Sequence, residues 1–147
     1  MNEAWRAPSG DDTTVLPVGE DWDAVEAPAA AAELVLMLRS VEAPAIIDWQ
    51  RERAWWLVPR GGAAPASWMW QRLQPAVLVR TTGPLIVPHA GRTAGVRWVK
   101  PQQWSGAYLA QPRRLAAALN AIHNAAVTVR RSSASPRARG GTGAGPG

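Results

Sequence analysis

Cysteine and phenylalanine are both absent from the 147 residues, tyrosine and lysine occur once each, and histidine occurs twice. Without cysteine the chain has no disulfide, no thiolate metal site and no thiol nucleophile, a usage that fits a reducing cytoplasm. The two histidines, His89 in "VPHAGR" and His123 near the end of the last apolar stripe, have no companion at ligand spacing, so no metal site is expected. No run approaches the roughly 18–20 apolar residues that span a bilayer, and no membrane partner is expected. The start, "MNEAWRAPSGDDTT", has neither a basic opening nor an apolar core, so it does not read as a secretory signal. A nucleophile-elbow G-x-S-x-G, a phosphate-cradling loop ending in Gly-Lys-Ser/Thr and a dinucleotide-binding glycine pattern are all missing. "RGGAAPAS" has the glycines of such a loop without its lysine. No cofactor is expected.

Carboxylates are missing from one part of the chain. All eleven acids lie at or before Glu52 with only three arginines, a net charge of −8, whereas residues 53–147 carry twelve arginines, one lysine and no acid, a net of +13. Arginine-rich, lysine-poor usage with abundant Ala, Gly and Pro matches the codon bias of a high-GC genome. That bias does not account for 95 residues without a carboxylate. Two readings of the asymmetry stay open: an anionic partner for the basic half, or internal pairing between the halves.

Nine tryptophans are present. Two stand side by side in "AWWLVP", where alternation sends Trp55 to one face with Leu57 and Trp56 to the other with Ala54 and Val58. Apolar residues on both faces predict a central strand covered on both sides. "TVLPVG" predicts a strand with Gly19 in the following turn, "WDAVEAP" a second with Trp22, Ala24 and Val25 buried, and "APAIIDW" a third that forms a hairpin with "AWWLVP". "AVLVRT" and "PLIVP" read as a two-strand unit about Gly83, and "GVRWVKP" as a final strand. "AAAAELVLMLR" after Pro28 predicts a helix, Ser67 opens a short one through "WMWQRL", and Leu115, Leu119, Ile122 and Ala126 form one helical stripe after Pro112.

These elements make an α+β fold: a single domain with a mixed or antiparallel sheet and two or three packed helices. The expected boundaries are a disordered N-terminus over 1–13, the domain over 14–126, and a disordered, basic Gly/Ser/Pro-rich tail over 127–147.

The order "LPVGEDWDAVEAP", "APAIID", "AWWLVPRGG", "AVLVRTTGPLIVPHAG" and "VRWVKPQ" resembles the N-terminal domain of bifunctional primase–polymerases, and more closely the short actinobacterial relatives of that domain. The resemblance covers roughly residues 15–125. It implies an acid-x-acid pair on the strand after a glycine turn, which falls on Glu26 and Pro28. It implies a histidine that falls on Ala54 and a later acid that falls on Leu78. Shifting the first strand uses Asp21 and Asp23, which alternation would place on one face, but restores neither the histidine nor the third acid. Two divalent cations on a triphosphate need several convergent carboxylates. The expectation is therefore a catalytically degenerate domain with no catalytic residues.

Binding is a separate matter. Arg80, Arg92, Arg97, Lys100 and Trp104 interleave cations with a flat ring, as a groove for single-stranded DNA or RNA requires. They are the expected nucleic-acid contacts, with Trp98 in the core and Trp104 more open. Other readings are a protein-interaction or regulatory module whose acidic first half docks a protein partner and, third, an active primase–polymerase.

Overall fold

The structure, a computed structural model, describes residues 4–65 and 67–126. Among the described residues seven strands and three helices follow in the order β1 (Thr13–Pro17), β2 (Asp23–Pro28), α1 (Ala29–Met37), β3 (Ala45–Asp48), β4 (Arg53–Val58), α2 (Trp68–Gln71), β5 (Leu78–Arg80), β6 (Pro84–Pro88), β7 (Arg97–Val99) and α3 (112–126). Five strands form one antiparallel sheet in the order β5-β2-β4-β3-β7, and β1 pairs with β6 in a separate antiparallel ribbon. The fold is α+β, as expected. The proposed tail lies outside the described residues. No described helix is long and apolar enough to cross a membrane.

Strand β4 lies in the middle of the sheet because both of its faces are apolar. Trp55 and Trp56 are 7% and 0% exposed and belong to two separate cores. Trp56, Ala54 and Val58 pack with Val25, Ala27 and Ile47 against α1 and α3. Trp55 and Leu57 pack with Ala24, Ile46 and Trp98 beneath Leu85 and Val87 of the ribbon. The tandem pair thus supplies one ring to each side of the sheet. Three layers result: helices, sheet, and ribbon.

Helix α1 is alanine-rich and begins directly after Pro28, whose φ of −61° and ψ of 143° keep it extended. It buries Ala29, Ala32, Val35 and Leu36, while Leu34 and Met37 face solvent. Arg39, at φ 55°, turns the chain out of the helix. In α3, Leu115 and Leu119 are buried, Ile122 is partly buried and Ala126 is exposed, so the predicted stripe fades over its last turn. Gly19 is required by its turn, since at φ 98° a Cβ there would stand 2.1 Å from the Thr81 carbonyl oxygen.

Two expectations need correction. "AVLVRT" and "PLIVP" do not pair with each other. β5 joins the edge of the large sheet beside β2, and β6 leaves to pair with β1. The segment before β1 is also packed from residue 4 onward. The Ala90 and Gly91 N–H groups donate to the Pro8 and Gly10 carbonyls at 2.8 and 2.7 Å, and the His89 N–H donates to Asp12 O at 2.8 Å. Trp5 meets Trp22, Trp98 and Tyr108 at ring distances of 5.8, 6.3 and 5.6 Å. Polar composition suggested a free end, but one large ring is enough to seat it.

Candidate functional site

The ribbon side of the sheet carries two recesses. The first lies where the β3–β4 hairpin approaches the ribbon. Cross-strand register places Glu26 beside Trp55 of β4 and Leu78 of β5, all on the ribbon face. Arg53 donates to Glu26 Oε2 from Nε at 3.1 Å and from a terminal nitrogen at 2.7 Å, and the Trp55 indole N–H donates to Oε1 at 2.8 Å. An Arg80 terminal nitrogen stands 3.9 Å from the same oxygen. Burial pushes the Glu26 carboxyl up. The hydrogen bonds from Arg53 and Trp55 and the charges of Arg53 and Arg80 outweigh it, so the net shift is below the ordinary carboxylate range. Asp48 accepts the Gln50 and Arg51 N–H groups and fixes the hairpin turn. The adjoining cavity, about 290 Å³, has walls from Trp55, Leu85, Ile86, Val15, Val96 and Pro84, and its charged members are Asp48, Arg51 and Arg80.

The second recess is a groove of about 660 Å³ between the N-terminal segment and the loop after β7. Its aromatic walls are Trp5, Trp104 and Tyr108, joined by Arg6, with no carboxylate among the described lining residues. Tyr108 meets Trp104 edge-on at 5.0 Å and Trp5 at 5.6 Å. The Lys100 ammonium sits 4.9 Å over the Trp104 ring. The Trp104 indole N–H donates to the Ala107 carbonyl at 2.7 Å, which fixes the ring's attitude. Burial raises the Tyr108 phenol above its ordinary value against the opposing charge of Arg6.

The five residues expected to bind nucleic acid separate into different places. Lys100 and Trp104 come together at the aromatic groove. Arg80 lines the charged cavity. Arg92 serves the fold: its guanidinium donates to the Val96 carbonyl at 2.9 Å and the Asp11 carbonyl at 3.2 Å, tying the N-terminal segment down. Arg97 lies on β7 between Val96 and Trp98 and so projects to the helix side, away from both recesses. Trp98 is buried and Trp104 half-buried, as expected. Trp5, Arg6 and Tyr108 complete the groove without having been anticipated. The available signal was a lone tryptophan beside arginine in an otherwise polar segment, and the single tyrosine of the chain.

Positions suggested by the polymerase resemblance divide in the same way. Glu26 and Leu78 are neighbours on the ribbon face, but Ala54 points into the helix-side core. Asp21 is exposed in the bend before β2, while Asp23 begins β2, is 4% exposed and accepts the Gly61 N–H at 2.9 Å. These two acids therefore do not share a strand face as alternation suggested. Among the described residues no three His, Asp or Glu side chains converge in a group able to hold a metal ion.

Acidic first half and basic second half meet through Glu26 with Arg53 and Arg80, and through Glu42 with Arg114. Internal pairing thus accounts for part of the asymmetry. At the groove, Arg6 has no acid beside it among the described lining residues. No protein-family model matches this chain, and no curated protein or solved structure matches it either.

Proposed function

We propose that the domain binds single-stranded nucleic acid at the aromatic groove and does not turn it over. The observation that carries this reading is the groove's composition: three aromatic rings and Arg6 in its lining, Lys100 over one of those rings, and no carboxylate among the described lining residues. Flat rings stack bases at about 1–3 kcal/mol each, and neighbouring cations attract phosphates. Charge decides between the two ligands that aromatic recesses commonly take. A quaternary ammonium would meet two like charges here, whereas a nucleotide meets opposite ones. The absence of turnover is supported by Glu26, an acid on the ribbon face, being engaged by Arg53 and Trp55.

The test is fluorescence anisotropy of labelled oligo-dT and oligo-U over a salt series, with duplex DNA as comparison. Binding should weaken as salt rises. Trp104→Ala should reduce affinity by roughly 5–150-fold, the equivalent of 1–3 kcal/mol. Primer-extension assays with Mg²⁺ or Mn²⁺ should give no product. No binding at low salt, or an unchanged affinity in Trp104→Ala, would overturn the reading.

A further inference from the structure

The cavity beside Glu26 shares no lining residue with the aromatic groove, so a ligand held there is independent of nucleic-acid binding. Its charges are unevenly satisfied. Glu26 accepts hydrogen bonds from Arg53 and Trp55, and that pair of charges is closed. Asp48 holds two backbone N–H groups and stands 3.8 Å from Arg51. Arg80 is different. One terminal nitrogen donates to the Pro84 carbonyl at 2.9 Å, and the other is 3.9 Å from Glu26, beyond hydrogen-bonding distance. No carboxylate among the described residues hydrogen-bonds this guanidinium, although its side chain is only 27% exposed. Its ion pair with Glu26, at 3.9 Å and shared with Arg53, leaves the Arg80 guanidinium with no hydrogen bond to a carboxylate, and such a guanidinium favours an incoming anion that can accept one.

Apolar surface at the same place is also left open to water. Val15 and Ile86 are cross-strand partners on the ribbon, exposed at 63% and 39%, and both line the cavity with the Trp55 ring. The volume, about 290 Å³, is at the small end of ligand sites, which run from roughly 300 to 1,000 Å³.

We propose that this cavity is a binding site for a small monocarboxylate with a flat apolar body, its carboxylate paired with Arg80 and its body against Trp55, Val15 and Ile86. A guanidinium meets a carboxylate through two parallel N–H donors, and a neutral analogue of the same shape forfeits the charge while keeping the apolar contacts. A cationic analogue would confront Arg51 and Arg80, while the one carboxylate among the described lining residues, Asp48, is already engaged by two backbone N–H groups and Arg51.

The experiment titrates the full chain calorimetrically with naphthalene-1-carboxylate, its primary amide and the corresponding aminomethyl cation. The acid should bind in the micromolar to millimolar range, the amide at least about tenfold more weakly, and the cation not measurably. Arg80→Gln should lower the acid's affinity at least about tenfold while leaving that of the amide nearly unchanged. Because Arg80 also supports the Pro84 carbonyl, a second variant attacks the apolar half alone: Val15→Trp, at an exposed position, should fill the cavity and abolish binding of acid and amide alike. Absence of acid binding, equal affinity for acid and amide, or full affinity in folded Val15→Trp would each overturn the proposal.

Discussion

The two faces of the five-stranded sheet bury similar elements in different ways. The helix-side core is aliphatic, with Val25, Ile47, Val58, Leu115 and Leu119 around Trp56 and Trp70, and many alanines that let α1 and α3 approach closely. On the ribbon side the core is aromatic. Trp22, Trp55, Trp98 and Tyr108 are buried there, with Trp5 and Trp104 packed against them. A helix is self-sufficient in backbone hydrogen bonds and can lay a continuous stripe over a sheet. A two-stranded ribbon covers less area and leaves gaps at its sides. Large rings with polar edges fill part of that space, anchored by bonds such as Trp55 to Glu26 and Trp98 to the Pro88 carbonyl at 2.7 Å. Among the gaps that remain are the two recesses described above. Incomplete cover is what leaves this domain its open recesses.

The strongest test of the comparison is to remove the paired rings. Trp56→Ala and Trp55→Ala should each cost about 3–5 kcal/mol and impair folding, read by chemical denaturation with circular dichroism. Full stability in either variant would mean that its face is not closed as described.

A smaller effect should separate the faces by pH. Glu26 is held below its ordinary value near 4.5, so its contribution is present at neutral pH, begins to fade below that value and is lost as pH falls through the depressed folded-state pKa. Glu26→Gln should therefore be less stable than the parent at pH 7, by about 1.5–3 kcal/mol, the worth of a hydrogen bond to a charged group. The difference should shrink in acid. Urea midpoints from pH 7 down to pH 3 check it, and a pH-independent difference would remove Glu26 as the titrating group.

Next comes the segment that the ribbon side holds down. Trp5→Ala should cost about 1–2 kcal/mol, typical of losing a partly buried side chain, and should also weaken oligonucleotide binding. An unchanged thermal midpoint would show that residues 4–12 contribute nothing to the ribbon-side core.

The smallest expected effect sharpens the contrast within the tandem pair. The Trp55 indole N–H donates to Glu26, whereas the buried Trp56 indole N–H has no hydrogen-bond acceptor among the described residues. Replacement by phenylalanine removes both groups. Trp55→Phe should be the more destabilising of the two by about 1 kcal/mol, since only there is a carboxylate oxygen deprived of its donor. Equal costs would mean that the Glu26 bond adds no net stability.

Much of this organisation was encoded locally. Alternation along "AWWLVP" determined that Trp55 and Trp56 would part to opposite faces, because successive side chains on a strand have no other choice. The spacing of Leu115 and Leu119 determined the buried stripe of α3, since residues four apart share a helix face. Composition determined that no triad of ligands or acids would arise after Glu52, because no carboxylate exists there to supply one. What only the tertiary structure decided are the meetings between distant residues: Glu26 with Arg53 and Arg80, Trp5 with Tyr108, Arg92 with the Asp11 carbonyl. It also decided that β5 and β6, adjacent in sequence, would join different sheets. No short-range period specifies such partners. Each closes a loop whose entropy must be offset by burial, and which closure is favourable depends on how the other layers have already packed.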